Sequence, residues 1–275
     1  MGTSLKTIDP RMLERIQALR LIDDDFMTVV FDGDKELTQF LLRILLERDD
    51  LFVKSVMTQK EKRNLYGRSV KLDILAVDSN GKNYDVEVQR ADEGASPRRV
   101  RYNQAMLDSH TLKKMQKFTD LPELYIIFIT ENDYYGLGFP YYAVEKRIKK
   151  ADLPFDDGCN IIYVNGSYRG DDPLGKLMHD FCTPDADKMN YSEIAERVRY
   201  HKQQDGGKKN MCRIIEEYGD EREAEGRQKT AIANAKNFLK KSNLSSEMIA
   251  DCCSLPLEQV LALKKELEQQ VETAF

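Results

Sequence analysis

The chain has 275 residues, 41% hydrophobic and 32% charged, with a net charge of −5. That length allows one sizeable core plus an appended piece, and the acidic balance excludes a wholly basic nucleic-acid coat while leaving room for a local basic patch. Cys159, Cys182, Cys212, Cys252 and Cys253 are scattered without a C-x-x-C pair, and with only His110, His179 and His201 beside them no zinc-ligand spacing arises.

A reduced compartment is the simplest setting for such cysteines. The opening Met1-Gly2-Thr3-Ser4-Leu5-Lys6 lacks the apolar core of a signal peptide, and no apolar run reaches membrane-spanning length. The expectation is a cytoplasmic protein with no membrane partner.

In chain order, Met12, Leu13, Ile16 and Leu19 give a helical period over 10–20, with Pro10 in the first turn. Asp23-Asp24-Asp25 reads as an acidic turn. A second helix is expected over 34–48, capped by Asp34, with the apolar stripe Leu37, Phe40, Leu41, Ile44 and Leu45. The period then changes to two, predicting strands over 51–56, 69–78 and 82–89. The last two are separated by Asp78-Ser79-Asn80-Gly81, which is hairpin chemistry because Asn-Gly tolerates positive φ. A basic helix follows over 97–118, then a buried strand over 124–130, short strands over 141–144 and 161–164, and a short helix over 173–181. After about 184 strand signals vanish. A helix over 191–203 is broken by Asp205-Gly206-Gly207, a long charged helix starts near 208, and two short helices over 245–268 split at Leu255-Pro256. The predicted organisation is an α/β domain over 1–183 and an all-helical region over 184–275.

The hairpin carries the chemistry. With a three-residue loop, Ser79-Asn80-Gly81, and Gly81 left-handed, Asp73 lies opposite Glu87 and Lys71 opposite Gln89. Alternation then puts Lys71, Asp73, Asp85, Glu87 and Gln89 on one face and Leu72, Ile74, Val86 and Val88 on the other, core-facing one. A two-residue Asn80-Gly81 loop shifts the register by one and sets Asp73 beside Val88. Two acids directly across a hairpin repel unless a cation is shared, and Mg²⁺ commonly takes one or two carboxylates together with water and phosphate. The rival reading is a solvated sheet face closed by Lys71 ion pairs.

At Leu72-Asp73, thirteen residues and then Glu87-Val88-Gln89, the chain resembles the PD-(D/E)XK nucleases. More narrowly it is similar to the bacterial recombination-promoting nuclease and transposase family. The likeness extends to the basic Arg98-Arg99-Val100-Arg101-Tyr102, to the strand segment 121–127, and to Met211-Cys212 and Glu223-Ala224-Glu225-Gly226 in the tail. It implies a restriction-endonuclease-like mixed sheet flanked by helices, and a Mg²⁺- or Mn²⁺-dependent DNA endonuclease linked to transposition or recombination. Asp73 and Glu87 would ligate the metal with the Val88 carbonyl. Gln89 stands where the superfamily has lysine, with Lys71 as a compensating cation, and Glu36 matches an auxiliary acid. Arg98, Arg99 and Arg101 would contact DNA phosphates. Leu72 replaces the proline of the signature. A degenerate fold that binds DNA without cutting it, and a protein-interaction scaffold built on the tail, are the rivals. Residues 245–267 have helix-turn-helix spacing but few basic residues, so helical packing or homo-oligomerisation is the favoured use.

Overall fold

The computed structural model describes residues 9–64, 69–90, 92–242 and 244–272, without the side chains of 92–93, 217–225 and 268–272. Residues 1–6 and the side chains of 223–225, invoked above, lie outside that description. Helix α1 (Pro10–Ala18) begins where Asp9 accepts a hydrogen bond from the Arg11 N–H and Pro10 fills the first turn. The acidic turn expected next is the start of a helix, α2 (Asp24–Phe31). Phe26 to Phe31 are all buried there, so no amphipathic period marks the helix in the sequence. Helix α3 (Lys35–Leu46) is capped by Asp34, which accepts from the Leu37 N–H at 3.0 Å, and it ends at a left-handed Glu47.

The strands are β1 (Val53–Lys62), β2 (Val70–Asp78), β3 (Asn83–Gln89), β4 (Leu124–Thr130), β5 (Tyr141–Val144), β6 (Arg147–Ile148), β7 (Leu153–Pro154) and β8 (Cys159–Asn165). Six of them form a mixed sheet in the order β1-β2-β3-β4-β8-β5, while β6 and β7 pair by themselves. β1, β2 and β3 are antiparallel, β3-β4 and β4-β8 parallel, and β5 antiparallel to β8. The parallel step from β3 to β4 is made across helix α4 (Pro97–Thr111), which Ser96 caps. This helix-flanked mixed sheet is the restriction-endonuclease-like α/β arrangement expected from the sequence.

Both sheet faces are buried. Leu72, Leu75, Ile126, Phe128 and Tyr163 pack with Ala95, Val100 and Leu107 under α4, while Ile74, Ala76, Tyr84, Val86 and Ile127 are buried on the other side. Leu72 therefore joins the α4 side instead of sharing a face with Ile74 and Val86, as strict alternation required.

Helices α5 (Pro173–Cys182) and α6 (Ser192–Gln203) follow. The first compact unit extends to Cys212, past the end of the strands, because α6 is tied into it by its main-chain acceptors. Lys202, almost wholly buried, donates through Nζ to the carbonyls of Gln17, Leu19 and Pro184 at 3.0, 2.5 and 2.5 Å. Arg197 donates to the Val30 carbonyl. The break expected after 203 is present but falls at Gln204, so that helix α7 (Asp205–Lys241) already includes Gly206 and Gly207. A Cβ on Gly207 would come within 2.2 Å of the Tyr200 carbonyl oxygen, so this glycine serves close approach and not helix termination. The second unit, Arg213–Phe275, contains α8 (Ser246–Cys253) and α9 (Leu257–Glu272), with a core of Ala235, Ile249, Ala250, Cys253, Leu255, Val260 and Leu263. Among the described residues no helix is long and apolar enough to cross a membrane.

Candidate active site

The β2-β3 turn fixes the register. Gly81 has φ +83, and its N–H donates to the Asp78 carbonyl at 3.1 Å. The Asp78 carboxylate accepts from the Asn80 and Lys82 N–H groups at 2.9 Å each and from the Tyr84 hydroxyl. The paired residues are Val77 with Asn83, Ala76 with Tyr84, Leu75 with Asp85 and Ile74 with Val86. This is the three-residue-loop register, and one step further it sets Asp73 against Glu87.

At that step the ladder stops. Beyond Ile74 and Val86 the strands exchange side-chain bonds: the Val88 N–H donates to Asp73 Oδ2 at 3.0 Å, and the Asp73 N–H donates to Glu87 Oε1 at 3.4 Å. On the other flank of Asp73, the β1-β2 pairing passes from Thr58–Ile74 to Lys60–Leu72 around Gln59, whose φ is +50. A left-handed non-glycine residue inside a strand is a local irregularity. The β2-β3 ladder thus stops beside Asp73, while β1 and β2 keep a single register past Gln59.

Asp73 is 7% exposed and Glu87 is fully buried. Burial, and then the Glu87 charge, raise the Asp73 pKa well above the carboxylate range. Burial and the neighbouring Asp85 charge raise that of Glu87. Asp85 is buried on the same face, raised by burial and by Asp73, and neither of its oxygens is hydrogen-bonded. Asn103 and Glu87 favour its ionised form, yet Asn103 Nδ2 also lacks a hydrogen-bond partner. Lys62 acts on Asp85 by its charge, and among the described residues the cation hydrogen-bonded to the cluster is Arg99. Its Nη2 donates to Glu87 Oε2 at 2.7 Å, its Nη1 donates to the Gly94 carbonyl at 3.0 Å, and its guanidinium lies 5.8 Å from the centre of the Phe128 ring.

The other residues named from sequence divide. Val88 reaches Asp73 through its N–H. Gln89 lies against Gly94, where an added Cβ would stand 1.9 Å from Gln89 Oε1. Arg98 and Arg101 are exposed on α4. Lys71 is exposed and lies opposite Glu61 of β1 in the β1-β2 pairing. Glu36 is also exposed. It lines a pocket with Glu193, Glu196 and Arg197, away from the hairpin. The acid that does bear on the pair is Asp24, at the start of α2, whose charge raises both Asp73 and Glu87. Its signal was the Asp23-Asp24-Asp25 run, which ceases to look like a turn once a buried helix is allowed to follow.

Among the described residues no three His, Cys, Asp or Glu side chains are grouped to hold a metal ion. The donor set instead fits a hard divalent cation held by two carboxylates, with the rest of its shell left to water and phosphate. Residues 30–165 match the family model described as PD-(D/E)XK nuclease family transposase. No curated protein and no solved structure matches the chain.

Proposed function

We propose that this chain, whose residues 30–165 belong to the PD-(D/E)XK nuclease family transposases, is a metal-dependent DNA endonuclease acting in transposition or recombination. The observation that carries this reading is the pair Asp73 and Glu87, two buried acids beside an interrupted ladder, each bonded to the other strand's main chain. Asp73 and Glu87 would hold Mg²⁺ or Mn²⁺, and their oxygen donors suit either ion. The Val88 carbonyl would add a third oxygen, since the N–H and C=O of a strand residue point toward the same neighbour. When bound, the ion supplies Lewis acidity toward the scissile phosphate.

The chain's own groups supply positioning. Gln89, accommodated by the missing side chain of Gly94, would orient water or phosphate through its amide. Arg98 and Arg101, three apart on α4 and exposed, would contact the DNA backbone. Asp24, whose charge acts on both Asp73 and Glu87, takes the auxiliary-acid place expected of Glu36. The helical region over 184–275 would serve packing or self-association. One observation favours the rival reading, a fold that binds DNA without cutting it: Arg99 already neutralises Glu87.

The test is plasmid incubated with purified protein and Mg²⁺ or Mn²⁺, beside Asp73→Ala and Glu87→Gln. Cleavage by wild type alone supports the enzyme. DNA binding without cleavage in either metal gives the rival.

A further inference from the structure

Two positive groups compete for one carboxylate. Glu87 is fully buried, while the Arg99 side chain that binds it at 2.7 Å remains 37% exposed. The same guanidinium favours the ionised forms of Asp73, Asp85 and Glu87, although it is bonded to Glu87 alone. A divalent ion seated on Asp73 and Glu87 would lie against that guanidinium, and like charges at such range repel strongly where water is excluded. Arg99 must therefore give up Glu87 when the ion arrives. Its second anchor, the Gly94 carbonyl, lets it stay at the rim of the site while turning outward.

On the metal-dependent reading above, we infer that Arg99 is an exchangeable counter-ion that couples metal binding to DNA binding. Without DNA it occupies Glu87 and weakens metal affinity. A DNA phosphate accepts the released guanidinium through its planar fork, so metal and nucleic acid enter together. The site is then charged correctly in both states: carboxylates with guanidinium alone, or carboxylates with metal while guanidinium meets phosphate. By linkage, DNA raises metal affinity by the factor by which metal raises DNA affinity.

The experiment measures Mn²⁺ affinity of the full chain by electron paramagnetic resonance. It compares the protein alone with the protein beside a short phosphorothioate duplex that resists cleavage. Wild type should bind Mn²⁺ more tightly with duplex. Arg99→Gln should bind Mn²⁺ roughly tenfold more tightly than wild type without duplex, and duplex should add little. If Arg99→Gln does not fold, Arg99→Lys decides. Lysine keeps the charge but cannot hold Glu87 and the Gly94 carbonyl as a fork, so Mn²⁺ alone should bind several-fold more tightly than to wild type. Mn²⁺ binding that these substitutions leave unchanged overturns the exchange while leaving the metal site standing. No Mn²⁺ binding by any form, with or without duplex, removes the metal-dependent reading and this inference with it.

Discussion

Asp85→Asn should stabilise the metal-free protein, and only where Asp85 would otherwise be under pressure to ionise. Asp85 is fully buried, neither oxygen has a hydrogen-bond partner, and burial with the Asp73 charge pushes its pKa from 3.8 up to about 8. A folded pKa above the unfolded one means that the stability it contributes is fully present below about pH 4 and is lost as pH rises through about 8. At pH 7 the solution is about three units above the unfolded pKa. At ~1.4 kcal/mol per unit, about 4 kcal/mol of stability is missing relative to strong acid. Asparagine has nearly the same shape and does not ionise. It also relieves Glu87, whose proton affinity Asp85 raises. The expected gain is about 2–4 kcal/mol at pH 7 and near zero at pH 4. Urea unfolding of both proteins at the two pH values, with divalent ions chelated, measures it. A variant destabilised equally at both pH values would refute the reasoning, because Asp85 would then act through shape or hydrogen bonding and not through charge.

Replacing Arg98 and Arg101 together by glutamine should weaken DNA binding on all sequences and reduce the salt slope by about 2, read by fluorescence anisotropy across a salt series; an unchanged slope would leave them as solvated charges. Lys202→Met strips the donor from the carbonyls of Gln17, Leu19 and Pro184, and should cost about 3 kcal/mol in chemical denaturation. A loss under about 1 kcal/mol would mean that water replaces the ammonium group. Gly94→Ala drives a methyl group into the place of Gln89 Oε1, the free end of a flexible side chain. Cleavage should therefore fall at least tenfold (an order of magnitude for a mispositioned group) while the melting temperature stays nearly constant. Wild-type cleavage in that variant would place Gln89 outside the machinery.

Much of the hairpin was readable because its signals are local. Asn80-Gly81 demands a tight turn, alternation sets faces, and the Ser79-Asn80-Gly81 loop gives the observed pairing of Leu75 with Asp85. Strand β4 was readable as an unbroken apolar run. What failed was non-local. Helix α2 is buried all round, so it carries no period, and Asp24 was taken for a turn residue. The left-handed Gln59 and the end of the β2-β3 ladder beside Asp73 have no pattern in the Lys71-Leu72-Asp73 stretch that announces them. Leu72 packs with Leu75 and Ile126, away from the face that alternation assigns it. Glu36 reads as a site acid from its place on a helix, but it is exposed and lines a pocket with Glu193 and Arg197, more than 150 residues away in the chain. Arg99 stood among three basic residues that composition cannot rank. Only Val100 and Asn103, buried on the same helix, reveal which of them turns inward.

The fold itself contains a control for the site. Asp180 is as buried as Asp85, but it accepts hydrogen bonds from the Asn190 and Tyr191 N–H groups and from the Asn190 amide at 2.8–2.9 Å. An interior carboxylate here can thus be fully provided with donors, as stability alone would favour. Asp73, Glu87 and Asp85 are treated otherwise. Among the described residues Asp73 and Glu87 accept one main-chain N–H each and Asp85 none, and the partly exposed Arg99 is bonded to Glu87 alone. A sheet designed only to hold together would close the ladder at Asp73 and place apolar residues at 85 and 87, between Leu75, Ile126 and Phe128. Retaining three acids there lowers the stability of the metal-free protein at neutral pH. It leaves negative charge that a cation arriving from outside can neutralise. The contrast between Asp180 and Asp85, two buried acids in one protein with opposite hydrogen-bond provision, is the pattern that the proposed cation site requires.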